Sequence, residues 1–114
     1  MPWLLRDGEV LASLEVADAA ASRTRGLLGR DGIEGALLLR PAAAVHTLGM
    51  RFPIDVAYCD ADLVVLETVT MARWRLGRPR PSARAIVEAE AGAFERWRLQ
   101  PGDALEVAEG PVAP

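Results

Sequence analysis

The sequence predicts an α+β fold: a β-rich, compact single domain with mainly antiparallel strands and two short helices. Three observations lead to this prediction. The chain has 114 residues, the length of one domain, and about half of them (51%) are hydrophobic. Most segments alternate apolar and polar residues with a period of two, and turn residues separate them. We assign residues 1–114 to this domain, with its core at about 9–107 and a frayed tail at 108–114.

A hairpin and a helix open the predicted fold. Residues 3–16 read as two short strands joined at Asp7-Gly8, a dipeptide typical of tight hairpin turns. Residues 18–30 then favour a helix with Asp18 as its N-cap. Gly26 costs such a helix about 1 kcal/mol relative to alanine, which indicates close backbone packing or a helix end at this position.

Four strands follow in the middle of the chain. In the third of them, Ile54 and Val56 point to one face while Asp55 and Cys59 point to the other. The last is apolar on both faces at its start, so we expect it to be central in the sheet and to form a hairpin with the third. The four strands are predicted at residues 36–41, 44–50, 52–60 and 63–71.

The last third of the chain contains an arginine-rich loop and three regular elements. Residues 72–84 combine arginines with two prolines and a glycine, which predicts an exposed loop. Alternation resumes at 85–90, a short helix is expected at 93–100, and a last strand is expected at 103–108.

Composition limits the function classes and predicts the cellular compartment. The formal net charge of −3 argues against a general nucleic-acid binder. All 13 basic residues are arginine, a bias more typical of a GC-rich genome than of a binding function. One cysteine cannot form an internal disulfide, and the sequence contains neither a signal-peptide core nor an apolar run of about 20 residues. We therefore expect a cytoplasmic protein that does not enter a membrane.

Four motifs in fixed order resemble the DUF192 family of uncharacterised prokaryotic proteins. They are GLLGR (26–30), VHTLGMRFPIDVAY (45–58), IVEAEAG (86–92) and LQPGDALEV (99–107). The resemblance covers residues 9–107 and implies a compact β-rich α+β domain with no established activity. The family pattern falls on Gly26, Leu27, Arg30, Met50, Arg51, Ile54, Asp55, Glu88, Gly92, Gly102 and Asp103. The sequence departs from this pattern at three positions. Many members have an aromatic residue and Trp before the methionine and Asn after the basic residue, whereas this chain has Leu48, Gly49 and Phe52 at these positions.

Polar residues within apolar segments define a candidate patch for ligand binding. Because buried charges persist only when they are paired, we expect two arginines to neutralise two strand carboxylates. An ion-pair cluster that joins helix and sheet is one interpretation, and a functional site is the other. The expected partners are Arg30 and Arg51 for Asp55 and Glu88, and the full patch is Arg30, His46, Met50, Arg51, Asp55 and Glu88.

Catalytic and metal chemistry have weaker support in the sequence. Cys59 and His46 are the single cysteine and histidine, and Cys59 is more typical of apolar packing than of a nucleophile. No clustered ligand spacing indicates zinc, so we expect no metal site and no cofactor, and the catalytic residues stay unassigned.

Three functional hypotheses stay open. The first is a non-enzymatic module that binds a small ligand or a protein partner through the candidate patch. The second is a hydrolase or lyase with Asp55 or Glu88 as general base and His46 as acid. The third is phosphate or nucleic-acid binding through the loop at 73–84, where Trp74 lies among the arginines. The sequence leaves the ligand, the reaction and the oligomeric state undetermined.

Overall fold

The computed structural model describes residues 2–110, and at Thr24 and Arg25 it describes the backbone alone. Met1 and residues 111–114 of the predicted tail lie outside the described residues. The elements, in chain order, are β1 (Trp3–Arg6), β2 (Glu9–Ala17), α1 (Ala20–Arg25), β3 (Ala36–Leu39), β4 (Ile54–Cys59), β5 (Val65–Met71), β6 (Ala85–Glu90), α2 (Ala93–Trp97) and β7 (Leu105–Ala108). The predicted β-rich α+β class is confirmed.

The strands form one mixed sheet in the order β5-β4-β6-β3-β2-β1-β7. Strands β2 and β3 pair in parallel, and the other neighbouring strands pair antiparallel. The two edges of the sheet approach each other at one end, where Val64 bridges Ala104 and the amide of Val65 donates to the carbonyl of Asp103 at 2.8 Å. The sheet therefore curls towards a barrel, which leaves less open edge.

The curled sheet has an apolar cluster on each face. Alternation along the strands separates the two clusters, because successive side chains of a strand point to opposite faces. On one face, Leu38 and Val87 pack against Phe94 of α2. On the other, Leu39 and Ile86 pack beneath Met50 and Leu27, which belong to connecting segments rather than to strands. Those segments, and not a second sheet, cover this second face.

Both predicted hairpins are confirmed. At the first turn Asp7 and Gly8 have φ values of 51° and 78°, the positive values that a type I′ hairpin needs at both central residues. In the second hairpin β4 pairs with β5, and Ile54 lies opposite Met71. Within residues 2–110, no helix has the length and apolar character to span a membrane.

The predicted helix at 18–30 is much shorter in the structure. It begins at Ala20, and Ala19 rather than Asp18 occupies the N-cap position, without a side-chain hydrogen bond. It ends at Arg25 because Gly26 adopts φ 47° and ψ −124°, a conformation that favours glycine and cannot continue an α-helix. Of the two roles that the sequence suggested for Gly26, the structure supports the helix end.

Two strand predictions are corrected as well. The segment 44–50 is not a strand, because its pairing is limited to one bridge between His46 and Leu76 and the positive φ of Gly49 turns the chain. Strand β5 lies at an edge of the sheet and not at its centre. The apolar residues at its start suggested burial on both faces of a central strand. In the structure this start contacts the segment before β7, and Leu66 is exposed.

Candidate functional site

A cavity of about 280 Å³ lies between α1, the segment after it and the second face of the sheet. Its walls are mainly aliphatic, and three polar side chains border it. Glu88 comes from β6, His46 from the bridge segment 43–47, and Arg23 from α1. The remaining lining residues are Gly26, Leu27, Leu28, Leu39, Ala44, Val45 and Met50. We call this space the Glu88 cavity.

Glu88 is the buried acid of this cavity. Its exposed fraction is 3%, and its neighbours across the sheet are Leu37 on β3 and Val56 on β4. Among the described residues it has no hydrogen-bond or ion-pair partner. Burial raises the pKa of Glu88 to about 7, because the charged form loses hydration without gaining a counter-charge. The group can therefore gain or lose a proton near neutral pH.

The two basic groups of the cavity are more accessible than Glu88. His46 is exposed, and its Nδ1 accepts a hydrogen bond from the amide of Leu48 at 3.2 Å. This bond makes Nε2 the protonated nitrogen of the neutral ring, and thus a donor. Arg23 is half-buried and donates through one guanidinium nitrogen to the carbonyl of Asp18 at 2.6 Å. An acceptor thus lies at the floor of the cavity, and donors lie nearer its mouth.

Asp55 has a structural environment that differs from that of Glu88. It is equally buried, at 3% exposed, but its carboxylate accepts three hydrogen bonds. The Thr70 hydroxyl donates at 2.7 Å, the amide of Gly92 at 3.0 Å and that of Phe94 at 3.1 Å. Gly92 is the N-cap of α2 and has no side chain to cap it, so Asp55 supplies the missing acceptor from β4. Asp55 therefore anchors α2 to the sheet.

The expected ion pairs between the patch arginines and the strand acids do not form. Arg30 binds Glu15 through two nitrogens, at 2.8 and 3.1 Å, and this hydrogen-bonded pair lowers the pKa of Glu15. Arg51 binds Asp31 at 2.7 Å on the exposed surface. Both arginines have solvent-accessible acids nearby, which spare them the desolvation that a buried partner would require. The prediction that these arginines neutralise Asp55 and Glu88 is therefore wrong.

The candidate patch is thus split by the structure. His46, Met50 and Glu88 border one cavity, whereas Asp55 belongs to the opposite face of the sheet. Sequence reasoning missed Arg23 as a lining residue. The available signal was its position three residues before Gly26, which places the side chain in the last turn of a helix that ends at the cavity.

The arginine-rich loop is held against the bridge segment by a buried threonine. The hydroxyl of Thr47 donates to the carbonyl of Ala72 at 2.6 Å and accepts from the amide of Arg75 at 2.8 Å. The backbone carbonyl of Thr47 accepts from the amide of Trp74, which has a φ of 61°. This arrangement leaves Trp74 62% exposed and Leu76 76% exposed.

A family model covers nearly all of this fold. The DUF192 model, described as "Uncharacterized ACR", matches residues 4–107. A UPF0127 protein from Thermococcus gammatolerans is 31% identical over 98 residues, which are 81% of this chain and 64% of that protein. One from Pyrococcus furiosus is 30% identical over 103 residues, 86% of this chain and 89% of that protein. The chain spans slightly less than two thirds of the length of the Thermococcus gammatolerans protein and of a second UPF0127 protein, from Thermococcus kodakarensis.

Two crystal structures share the fold. A protein of unknown function from Novosphingobium aromaticivorans has a TM-score of 0.75 at 20% identity, over 92% of this chain and 82% of that one. A Sinorhizobium meliloti protein, described provisionally as a transcription regulator, has a TM-score of 0.77 at 18% identity, over 93% and 91% of the two chains. At these identities the likeness concerns the fold alone.

Proposed function

The chain belongs to the DUF192 family of uncharacterised proteins, and on that premise we propose that it is a non-enzymatic module that binds a small ligand in the Glu88 cavity. The observation that carries this proposal is Glu88, a residue only 3% exposed that borders the cavity and whose carboxyl group has no partner among the described residues. An unpaired buried polar group costs folding free energy, and native proteins rarely keep one without a use. Strongly shifted pKa values of this kind cluster at functional sites.

The position of Glu88 supports ligand binding more than a role in folding. Its neighbours on both adjacent strands are apolar, so an apolar residue of similar volume would fit the sheet without the cost of desolvation. The cavity beside it is small and combines aliphatic side chains with a few convergent polar groups, as ligand sites usually do. The localisation of this protein in the cytoplasm stays a prediction from the sequence.

The geometry gives less support to Asp55 than to Glu88 as the general base of the hydrolase or lyase hypothesis, since only Glu88 shares a cavity with His46. The carboxylate of Asp55 already accepts three hydrogen bonds, and it points away from the face that His46 borders. A general base needs to be within hydrogen-bond reach of the proton that it abstracts. Asp55 therefore has a positioning role for α2 in our account and no role in chemistry with His46.

Ligand screening of matched variants tests this function. A panel of amines, amino acids, organic acids, sugars and nucleotides is screened by thermal shift, and hits are confirmed by amide chemical-shift changes. We expect at least one hit to bind the wild type and Glu90→Gln, which alters an exposed acid of the same strand, but neither Glu88→Gln nor Ala44→Phe, which fills the cavity. Hits that bind Glu88→Gln as tightly as the wild type, or the absence of any hit, would overturn the proposal.

The exposed loop favours a second candidate function, binding of single-stranded nucleic acid. Trp74 presents its indole to solvent, and the hydrogen bonds of Thr47 hold the loop in this conformation. Arg73, Arg75 and Arg78 are exposed on the same loop and form no ion pair among the described residues. An aromatic platform next to guanidinium groups binds bases by stacking and phosphates by charge.

Fluorescence titration with oligothymidine at several salt concentrations tests the second candidate. We expect quenching of Trp74 fluorescence and an affinity that falls steeply with salt, with a smaller slope after Arg75→Ala. Arg40→Ala, an exposed arginine outside the loop, serves as the control. Absence of binding at low salt, or binding that salt does not weaken, would contradict this candidate.

A further inference from the structure

The Glu88 cavity separates opposite charges by depth. Glu88 is 3% exposed, whereas Arg23 is a half-buried residue and lies nearer the solvent. His46 adds an exposed imidazole with a donor at Nε2. Leu27, Leu39 and Met50 contribute apolar surface to the lining. A complementary ligand therefore has a donor-rich group that enters first, an aliphatic middle and an acceptor group that stays near the mouth.

We propose that the ligand is a small amphoteric molecule of the aliphatic amino-acid class, bound with its ammonium group at Glu88 and its carboxylate towards Arg23. This inference rests on the proposed function, since it names the ligand class of the same cavity. An ammonium group has three donors and no acceptor, which complements a carboxylate that lacks donors. Inside a protein cavity such a pair attracts more strongly than it would in bulk water.

Other ligand classes match only part of the cavity. A simple alkylamine would satisfy Glu88 but would be repelled by the positive charge of Arg23. A simple carboxylic acid would favour Arg23 and be repelled by ionised Glu88. A neutral sugar carries no charge and would leave both Glu88 and Arg23 without a counter-charge. An amphoteric ligand turns both charges of the cavity into attractions.

Proton linkage provides an independent signature. Among the described side chains, the titratable or charged groups around Glu88 are Arg23 on α1, His46 on the bridge segment and Tyr58 on β4, while β3 contributes Leu37 and Leu39. An ammonium group requires ionised Glu88, whose pKa burial raises to about 7. Affinity should therefore rise about tenfold from pH 6 to pH 8, in proportion to the ionised fraction.

Calorimetric titration with six-carbon probes tests the ligand class. The probes are 6-aminohexanoate, norleucine, hexylamine, hexanoate and hexanol, and the proteins are the wild type, Glu88→Gln, Arg23→Gln and Glu90→Gln. We expect one of the two amphoteric probes to bind the wild type and Glu90→Gln at least tenfold more tightly than the amine, the acid or the alcohol. Which of the two binds reports the spacing between the charged groups of the ligand.

The variants assign each charge to one residue. Arg23→Gln should reduce affinity for the amphoteric probe and leave hexylamine binding unchanged or stronger. Glu88→Gln should bind neither amphoteric probe measurably at pH 6 or pH 8, whereas a further variant, His46→Gln, should keep the rise in affinity between these pH values. If the amphoteric probes do not bind but another compound binds in a manner that depends on Glu88, the ligand class is overturned and the binding function stands. If no compound binds in that manner, both are overturned.

Discussion

Asp55 and Glu88 lie on adjacent strands of one sheet and point to its opposite faces. In the register of β4 and β6, Asp55 is opposite Ala89 and Glu88 is opposite Val56. Both carboxyl groups are buried, but Asp55 accepts three hydrogen bonds whereas Glu88 has no partner among the described residues. One acid therefore stabilises the fold, and the other is available for a ligand.

The substitution Glu88→Gln should change how stability depends on pH. Because the folded-state pKa of Glu88 is about 7, above its unfolded value of 4.5, the folded protein binds the extra proton between these values. The contribution of Glu88 to the free energy of unfolding is therefore retained below about pH 4.5 and falls by about 3 kcal/mol as pH rises to about 7. Urea denaturation of both proteins at pH 5, 6, 7 and 8 measures the difference.

Glu90→Gln is the control for this experiment, because Glu90 is exposed on the same strand and paired with Arg96. The contributions of the other titrating groups to the free energy of unfolding cancel in the difference between variant and wild type. We expect Glu88→Gln to gain stability relative to the wild type as pH rises. A difference that stays constant from pH 5 to pH 8 would show that Glu88 ionises normally in the folded protein.

The substitution Asp55→Ala should destabilise the protein by removing the acceptor for α2. Hydrogen bonds to a charged group contribute about 1.5–3 kcal/mol each and are not additive, so we expect a loss of about 3 kcal/mol and a Tm lower by about 12 °C. Amide exchange at Gly92 and Phe94 should accelerate locally. Glu106→Ala, at an exposed position, should change stability by less than about 0.5 kcal/mol. Equal stability of the two variants would remove the anchoring role of Asp55.

The substitution Gly77→Ala should disrupt the contact between the loop and the bridge segment. A Cβ atom at Gly77 would lie 2.5 Å from the backbone oxygen of Val45, which accepts the hydrogen bond of the Gly77 amide. We expect a cost of about 2 kcal/mol, or roughly 8 °C in Tm. Gly32→Ala is the matched control, because nothing lies within 4 Å of its Cβ position. A Tm for Gly77→Ala within a degree of that control would contradict the predicted clash.

Cys59 should be unreactive in the folded protein. Burial, with a smaller effect of the Asp60 charge, raises the pKa of its thiol to about 12, and the side chain is fully buried. At pH 8 an aromatic disulfide reagent should label it only at the rate of unfolding. Ser82→Cys adds an exposed thiol as an internal control, which should react at once. Rapid labelling of Cys59 would restore it as a candidate nucleophile.

Local patterns in the sequence predicted much of the sheet. Alternation around Ile54 and around Val87 placed their neighbours on the correct faces, because a strand has a side-chain period of two. The Asp7-Gly8 turn specified its hairpin through positive φ values. These features depend on residues close together in the chain, and a single sequence contains that information.

Features that depend on pairing between distant segments were not predictable in the same way. The opposite orientation of Asp55 and Glu88 follows from the register of β4 with β6, which no local pattern specifies. Arg30 pairs with Glu15 across 15 positions, and several other acids were equally plausible partners in the sequence. The parallel pairing of β2 with β3 also arises from the long connection through α1, and not from either strand alone.

The most direct test of the account is the titration of Glu88 itself. Carbon-detected NMR of the glutamate side-chain carboxyl groups, with Glu88→Gln to assign the resonance, follows its ionisation in the ligand-free protein. We expect a midpoint near pH 7, because the Glu88 carboxyl group is desolvated and has no partner among the described residues. A midpoint near the unfolded value of 4.5 would mean that Glu88 is solvated or paired, and would contradict a ligand-free buried acid at this site.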